Sequence, residues 1–452
     1  MIVAGPAILL AVAALVSFGL RKRLGVVTCL GLGATLVAFV MVSVTPVETT
    51  ARLFDLDLRA SGLGRLTGLI LLSIIAMLLI DVHFGEPAHN FFPTALGAGS
   101  VSLAVLVVTS PVVIFALLLV GSLIPVGSFT FQIHRNRTVA AAVRHFSFVV
   151  LGGSLGLGAL ALSESLPKDQ PASTLVLLVV LLFVAFALML AAIPFHTHAA
   201  LLADEAPAAA LALYFGVLVP VTFVGFAEIL AGSGLLPAII QVAKVQDLLL
   251  GIGLLSAFGG ALLAAGANDL RRLVVYAVIS NLGSALVGLA TLSGPGIIGG
   301  IAIALVTGAC ATQQLLAAGT LERRAAGDRP NVTDAPLASG VFIAGGIAMI
   351  GAPPLVSFPG HFFVDLIAYS VSGLAGSALV AAALLLLIAQ LRAGVRLFAG
   401  SPEGWRVEPQ PVAGILGVII LVALLAGGIT PDGFLRPIAA FADEFLKALR
   451  PL

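Results

Sequence analysis

Long apolar runs separated by short polar interruptions repeat along the whole chain. Most of these runs approach the length of about 20 residues that a helix needs to cross the hydrocarbon core of a bilayer. The predicted membrane-spanning helices cover 2–20, 24–44, 66–82, 93–109, 111–130, 146–163, 174–194, 206–230, 247–267, 271–292, 296–318, 337–358 with a continuation to 371, 374–398 and 411–429. The pattern therefore predicts an all-α polytopic membrane protein with about fourteen transmembrane helices.

The composition agrees with this pattern and excludes several other classes of protein. Of the 452 residues, 60% are hydrophobic and 10% are charged, whereas soluble domains contain about 25% charged residues. The 22 basic residues nearly balance the 21 acidic ones, which argues against binding to nucleic acid. The longest polar interruptions, 45–65, 132–145, 321–336 and 399–410, are too short to form an extramembrane domain. We therefore expect a chain embedded in the lipid bilayer, without a soluble catalytic module.

The sequence offers no recognisable set of cofactor or metal ligands. Cys29 and Cys310 each lie inside a long apolar run, without a second ligand at metal-binding spacing. His196 and His198 are close in sequence, but no carboxylate or cysteine supports them at the right spacing. No glycine-rich loop carries the lysine that a phosphate-binding loop requires. We therefore expect this chain to hold neither a metal ion nor a cofactor.

Basic residues in the loops predict the orientation of the chain. If the N-terminus is external, fourteen of the 22 Lys and Arg residues fall on the cytoplasmic side of the predicted spans. Cytoplasmic loops of membrane proteins carry an excess of such residues. The basic cluster at 21–23 follows the first apolar run instead of preceding it, unlike a signal peptide. The distribution predicts a multi-pass protein of the inner (plasma) membrane with both termini external.

Prolines interrupt the seventh and twelfth predicted spans. Pro194 ends the seventh in the sequence Ala-Ala-Ile-Pro-Phe-His, while Pro353 and Pro354 lie within the twelfth. Because proline removes a backbone hydrogen bond, it breaks the helix, and broken helices at membrane depth usually lie inside protein or beside a wet cavity. Both breaks fall on the fourth helix of a five-helix unit, which predicts two inverted repeats. Two ordinary proline kinks are the alternative.

The same pattern divides the chain into four parts. Spans one to three occupy 1–92, the first inverted-repeat unit 93–230, the second unit 247–398, and the last span with a C-terminal helix 411–452. In the final segment, 434–449, apolar and charged residues alternate with a helical period. We expect this amphipathic helix to lie on the external surface or on a partner.

Three motifs occur in order between residues 193 and 360. They are Ile193-Pro194-Phe195-His196-Thr197 with Glu205-Ala206-Pro207, then Asn268-Asp269-Leu270-Arg271-Arg272-Leu273, then Gly351-Ala352-Pro353-Pro354-Leu355 with Phe358 and Gly360. Together they resemble the antiporter-like membrane subunits of respiratory complex I. The same superfamily includes subunits of Mrp antiporters and of energy-converting, formate-hydrogenlyase-type hydrogenases. The resemblance covers nearly the whole chain and implies the fold of that family, with broken helices seven and twelve.

The resemblance also assigns positions to proton-carrying groups, and most of these positions are neutral here. The family's lysine on the seventh span falls at Met189, and its glutamate on the fifth span falls near Val120. The basic positions on the eighth and eleventh spans fall near Phe215 or Val219 and near Thr307 and Ala311. The position of the lysine on the twelfth span is occupied by His361, which titrates. Most of the family's proton-carrying positions are therefore lost.

His361 and Asp365 are the main candidates for a proton path. Their spacing of four residues places both on one helix face if the helix resumes after Gly360. Ionisable residues inside a membrane are rare and usually serve function, so the pair is a candidate proton-binding site. A hydrogen-bonded structural pair is the alternative.

Glu205 and His196 are further proton-path candidates at the cytoplasmic end of the seventh span. Glu205 is expected to pair with Arg271 or Arg272, or else to have a structural role near a helix start, where an acidic side chain suits the helix dipole. The resemblance implies structural roles for Pro194, Pro207, Asp269, Arg271, Pro353 and Pro354.

These expectations define one main hypothesis and two alternatives. The sequence predicts a membrane-embedded antiporter-like subunit of a complex I-like NADH:quinone oxidoreductase or of a membrane-bound hydrogenase complex. The redox chemistry would belong to partner subunits, and the other membrane subunits of that complex would contact this chain. The alternatives are a subunit of a cation/proton antiporter or inorganic-carbon uptake system, and a structural spacer that does not pump protons.

Overall fold

The structure is a computed structural model that describes residues 2–85, 88–129, 138–165, 172–236, 243–325, 330–398 and 411–449. Its first half contains α1 (Gly5–Leu20), α2 (Leu24–Val44), α3 (Gly62–Phe84), α4 (Phe91–Val105), α5 (Pro111–Leu123), α6 (Val126–Phe129), α7 (Thr138–Ser165), α8 (Ala172–Met189), α9 (Thr197–Glu205), α10 (Ala208–Leu213), a π-helical turn (Tyr214–Leu218) and α11 (Val219–Gly232). Its second half contains α12 (Ala243–Gly266), α13 (Leu270–Ala290), α14 (Gly294–Arg324), α15 (Pro336–Met349), α16 (Ser357–Val371), α17 (Gly373–Phe398), α18 (Val412–Ile429) and α19 (Asp432–Ala448).

Within the described residues, ten helices are long and apolar enough to cross a membrane. They are α2, α3, α5 with α6, α7, α10 continuing through the π-helical turn into α11, α12, α13, α14, α17 and α18. Four shorter apolar helices, α1, α4, α8 and α15, lie at other predicted spans. These helices confirm a helical multi-pass membrane protein, whereas the exact number of fourteen spans stays a prediction.

Two of the shorter apolar helices, α8 and α15, each end at an irregular segment that is followed by a further helix. The first break separates the end of α8 at Met189 from the start of α9 at Thr197, and Pro194 lies inside it. The second break separates α15 from α16, and Pro353 and Pro354 lie inside it. The prolines therefore mark two interruptions at the places that the sequence indicated, while the inverted repeats stay a prediction.

The C-terminal helix α19 packs against its own chain. Its apolar face, formed by Ile438, Phe441, Ala442 and Phe445, is buried. On the hairpin formed by β1 (Thr50–Leu53) and β2 (Leu56–Arg59), Arg59 binds Glu444 of α19 at 2.6 Å and Glu48 at 2.8 Å. The hydrogen bonds that Arg59 donates to Glu444 and Glu48 raise the pKa of Arg59, so it stays charged. The predicted amphipathic helix is thus present and is fastened to the hairpin.

Asp269 begins α13, and its loss is expected to weaken that helix. Its carboxylate accepts a hydrogen bond from the backbone N–H of Arg272 at 3.0 Å, the usual contact of an N-cap residue. Asp269→Ala should lower the free energy of unfolding by about 1 kcal/mol, measured by SDS titration in mixed micelles. Asp269→Asn keeps the accepting oxygen and should stay near the wild-type value. An equal loss in both variants would assign the effect to the charge instead.

Candidate functional site

Two side chains, those of Ser256 and Tyr214, form hydrogen bonds with backbone groups of the first break. The backbone N–H of Ile193 donates to Oγ of Ser256 on α12 at 3.0 Å, and Ser256 is buried. At the end of α8, the carbonyl of Met189 accepts a hydrogen bond from the hydroxyl of Tyr214 at 3.1 Å. A broken helix inside a membrane frees backbone groups that water does not reach. These two contacts therefore satisfy part of the backbone that Pro194 leaves without helical partners.

The second break is held by Asn281 on α13. Its side-chain amide donates to the carbonyl of Met349, the last residue of α15, at 2.7 Å. The same amide donates to Oγ1 of Thr307 on α14 at 3.1 Å. The carbonyl that ends α15 is thus satisfied by a side chain of a neighbouring helix of the second half.

The helices α12 and α13 connect the two breaks. Ser280, beside Asn281, donates to the carbonyl of Ala257, beside Ser256, at 2.7 Å. The two helices approach so closely that a Cβ on Gly283 would lie 2.2 Å from the backbone nitrogen of Ala257. Buried neutral groups therefore lie on neighbouring helices between the two breaks, with Ser256 bonded at the first and Asn281 at the second. We call Ser256, Ser280, Asn281 and Thr307 the central polar line.

His361 and Asp365 line a small cavity of about 10 Å³, room for about one water molecule, at the second-break end of the central polar line. The other polar residues that line it are Ser280, Asn281 and Ser284. Gly351 has a φ of +86°, and a Cβ there would lie 2.6 Å from the imidazole of His361. Glycine adopts this backbone conformation readily and leaves room for the ring. The sequence of the break therefore places the imidazole directly against its backbone.

The structure brings His361 and Asp365 to one cavity, as their spacing predicts. Within the described part of the chain, Nε2 of His361 has no hydrogen-bond partner, although the atom is buried. No hydrogen bond or ion pair joins the two side chains there. Both thus line the cavity without a contact to each other.

Glu205 pairs with neither Arg271 nor Arg272, so that expectation from the sequence is wrong. Arg271 is buried, and its Nε donates to Glu322 of α14 at 2.8 Å while its Nη1 donates to a backbone carbonyl at 2.7 Å. Arg272 binds Asp204. This carbonyl belongs to Ala206, which lies between α9 and α10. The turn before Pro207, the N-cap of α10, therefore presents a backbone oxygen to Arg271, and the Glu205 carboxylate does not bind it.

His196 and Glu205 lie at opposite ends of α9, and only His196 lies at the first break. The His196 ring contacts that of Tyr276 with a centroid distance of 6.3 Å. Nδ1 of His196 and Oε2 of Glu205 are buried without hydrogen-bond partners in the described ranges. The structure thus brings His361 and Asp365 together, but it does not bring His196 and Glu205 together.

Two further histidines carry no clear signal in the sequence pattern. His145 lies where a polar interruption meets an apolar run, and His198 occurs where metal-binding spacing is not supported. The fold buries both completely and brings their ring centroids to 5.3 Å beside the first break. They come from α7 and α9, so only the tertiary structure reveals their proximity. Among the residues with described positions, no group of three or more His, Cys, Asp or Glu side chains is arranged to hold a metal ion.

The fold and its interrupted helices define an antiporter-like membrane protein. Residues 145–393 match the family described as NADH:quinone oxidoreductase/Mrp antiporter, TM. This match covers more than half of the chain and includes both breaks. The chain belongs to this family.

Similar proteins extend over nearly the full length of the chain. NADH-quinone oxidoreductase subunit 13 of Thermus thermophilus is 27% identical, and the alignment covers 96% of each chain. A chain of the Mrp complex from Dietzia sp. DQ12-45-1b superposes with a TM-score of 0.82 at 17% identity, covering 99% of each chain. A chain of respiratory complex I from Thermus thermophilus gives 0.80 at 20% identity, covering 98% of this chain and 100% of that one. The two solved structures share the fold.

Proposed function

We propose that this protein is a membrane-embedded antiporter-like subunit of a respiratory complex I-like NADH:quinone oxidoreductase in the inner (plasma) membrane. The relative from Thermus thermophilus that aligns over 96% of both chains is named as a subunit of such an enzyme. The chain would hold no redox cofactor and would pack against other membrane subunits of the complex. In this proposal the redox reaction takes place on the partners, and this subunit contributes to proton movement.

The central polar line is the observation that carries the proposal. Ser256, Ser280 and Asn281 are buried, and burying polar groups costs free energy that hydrogen bonds must offset. A structural spacer needs each break to be satisfied locally, but it does not need polar groups that connect one break with the other. Polar residues inside a membrane usually mark pathways for ions or substrates. The connection between the breaks therefore favours a transport role over a spacer.

Proton transfer in this proposal centres on His361 and Asp365. A neutral imidazole keeps one nitrogen as a proton acceptor, and Nε2 of His361 is buried without a hydrogen-bond partner among the described residues. The Asp365 carboxyl group faces the same cavity and can release or take up a proton. His196 would serve at the first break and Glu205 at the other end of α9. The central polar line between them can order water but carries no charge.

The topology belongs to the same proposal. We infer that α1, α4, α8 with α9, and α15 with α16 complete fourteen spans, with both termini external. The inverted-repeat units would then be 93–230 and 247–398, flanked by 1–92 and 411–452. The placement of one proline break on the fourth helix of each unit supports this division.

Replacing His361 tests the proposed function. The complex that purifies with this chain is reconstituted in lipid vesicles, and proton uptake is followed while NADH reduces a quinone. His361→Asn keeps a polar side chain at this position but cannot hold a proton at neutral pH. We expect proton uptake per NADH oxidised to fall by about 10-fold or more, since a positioned proton-transfer group contributes at least that much.

The matched control is His89→Asn, because His89 lies exposed before α4. This variant should take up protons like the wild type. Unchanged uptake in His361→Asn would remove His361 from the path and favour the structural spacer. Purified complex without NADH:quinone oxidoreductase activity would contradict the proposed assembly and favour a cation/proton antiporter.

A further inference from the structure

The described part of the chain encloses a further cavity, of about 270 Å³, beside α19. The cavity lies between the hairpin of β1 and β2, the segment that follows α4, the start of α5, the end of α11 and α19. Its polar side chains are those of Arg59, Ser61, Thr109, Glu228 and Glu444. A polar cavity needs about 10 to 15 Å³ to hold one water molecule. This cavity therefore has room for several.

Glu228 reaches the cavity from the end of a membrane-spanning helix. The span formed by α10, the π-helical turn and α11 is almost entirely buried, and Glu228 lies one turn before its last residue, Gly232. The residues on either side, Ala227 and Ile229, are fully buried. Ionisable residues within membrane spans usually face the protein interior or a water-filled cavity, where they mark pathways for ions or protons. Glu228 has this placement.

Among the residues that the structure describes, Glu228 forms neither a hydrogen bond nor an ion pair. Arg59, the cation of this cavity, binds Glu444 at 2.6 Å and Glu48 at 2.8 Å instead. An ionised carboxylate only accepts hydrogen bonds, and burying it without donors costs free energy. The carboxyl group of Glu228 must therefore bind a proton or be hydrated by water in the cavity.

The charges around the cavity leave no free cation for Glu228. Two carboxylates, those of Glu48 and Glu444, already face the single positive charge of Arg59, so an ionised Glu228 adds a second excess negative charge. The helices that pack on α11 do not compensate it. α4 and α5 carry no charged residue, the charges of α14 lie at its opposite end, 322–324, and the remaining charged residues of α19 are exposed. A proton on Glu228 removes this excess charge and leaves the ion pairs of Arg59 in place.

We propose that Glu228 is a proton-exchange site between external water in this cavity and the first half of the protein. The carboxylate accepts a proton from hydronium in the cavity, which leaves water, and the neutral acid returns the proton in the reverse step. This inference rests on the proposed function, because it places one end of the proton path at the external surface.

The position of the cavity supports this assignment. The side chains of Arg59 and Glu444 are 35% and 48% exposed, so the cavity adjoins the surface on the side of the hairpin and α19. At the other end of the same buried span, the hydroxyl of Tyr214 binds the carbonyl of Met189 at the first break. A single helix therefore carries Glu228 at the surface cavity and a side chain that contacts the first break.

Two substitutions isolate the proton-binding group. Glu228→Gln keeps the size of the side chain, but its amide holds no acidic proton at neutral pH. Glu164→Gln is the matched control, because Glu164 lies exposed near the end of α7. The chemical change is the same in both variants, and only the surroundings of the carboxyl group differ.

The first measurement detects the proton on Glu228. The purified complex in lipid is studied by infrared difference spectroscopy between about pH 5 and about pH 9, a range in which carboxyl groups inside proteins titrate. We expect a protonated carboxyl C=O band that decreases as the pH rises, is lost in Glu228→Gln and is kept in Glu164→Gln. The band should shift in ²H₂O, because water in the cavity exchanges the proton. Identical difference spectra for wild type and Glu228→Gln, or a band that does not shift in ²H₂O, would overturn the inference.

The second measurement separates this inference from the proposed function. If wild-type vesicles take up protons during NADH oxidation, we expect Glu228→Gln to lose about 10-fold or more of that uptake and Glu164→Gln to retain it. Wild-type uptake in Glu228→Gln would overturn a role of this site in the path. If wild-type vesicles take up no protons, the proposed function fails, and the infrared titration still decides whether Glu228 exchanges a proton with water.

Discussion

Replacing Gly283 by alanine is expected to lower the free energy of unfolding by about 3 kcal/mol, at the upper end of the cost of overpacking. A Cβ at this position on α13 would lie 2.2 Å from the nitrogen of Ala257 and 2.7 Å from the carbonyl oxygen of Gly253, both on α12. These are backbone atoms, so no side-chain rotation relieves the overlap. The two helices must separate, and the hydrogen bond from Ser280 to Ala257 lengthens with them.

SDS titration in mixed micelles measures this loss, and Gly251→Ala is its control. Gly251 lies on α12, where an added Cβ meets nothing within 4 Å. Alanine forms helix more readily than glycine by about 1 kcal/mol, so the control should match or slightly exceed the wild-type stability. The two substitutions are chemically identical and are expected to act with opposite sign. Equal stability of both variants would show that close approach of α12 and α13 does not limit the fold.

The positions of the helices follow closely from the apolar runs. The prediction 24–44 coincides with α2 (Leu24–Val44), and 374–398 nearly coincides with α17 (Gly373–Phe398). This agreement has a physical reason, because a bilayer sets the length of each run and leaves few polar residues inside it. The prolines of both breaks were likewise informative, since their effect on a helix is local.

Features that depend on contacts between distant segments were not accessible from the pattern. The hairpin of β1 and β2 lies inside the polar interruption 45–65 and is fastened by Arg59 to Glu444, near the other end of the chain. The π-helical turn (Tyr214–Leu218) lies within an uninterrupted apolar run. The prediction that Glu205 pairs with Arg271 was wrong. Several acidic residues were possible partners, and only the packing of α13 on α14 selects Glu322.

Candidates came from the sequence in both halves, but the contacts around them did not. His361 stood out because the resemblance assigns its position to a lysine, and Asp365 follows at helical spacing. Ser256 and Ser280 gave no signal, since serine in a membrane helix often bonds only to its own helix backbone. His145 and His198 lie far apart in the sequence, so their pairing needs the fold.

The positions that the resemblance assigns to a lysine and a glutamate differ in their surroundings. Met189, the expected lysine position, is 1% exposed, and its carbonyl binds Tyr214. Val120, near the expected glutamate position, is 49% exposed on the outside of α5. Two residues later, the Ser122 carbonyl binds His145. Contacts of Tyr214 and His145 thus link the surroundings of the two positions.

Replacing Arg271 by alanine is expected to cost about 3 kcal/mol of stability, the second large effect. The side chain is 5% exposed and joins three segments: α13 carries it, Glu322 belongs to α14, and Ala206 links α9 to α10. Breaking a buried ion pair by removing one partner is costly, because the remaining groups lose a charged donor that water does not replace. Thermal unfolding in detergent and SDS titration measure the loss.

The neighbouring Arg272 provides a control that differs mainly in burial. Its side chain is 47% exposed and binds Asp204, and exposed ion pairs contribute about 0 to 1 kcal/mol. Arg272→Ala keeps the backbone N–H that Asp269 caps, so it should change stability by no more than that amount. A loss in Arg272→Ala as large as that in Arg271→Ala would mean that net charge at this membrane surface stabilises the protein. A much larger loss in Arg271→Ala would instead show that the buried bridge holds the start of α13 against the end of α9.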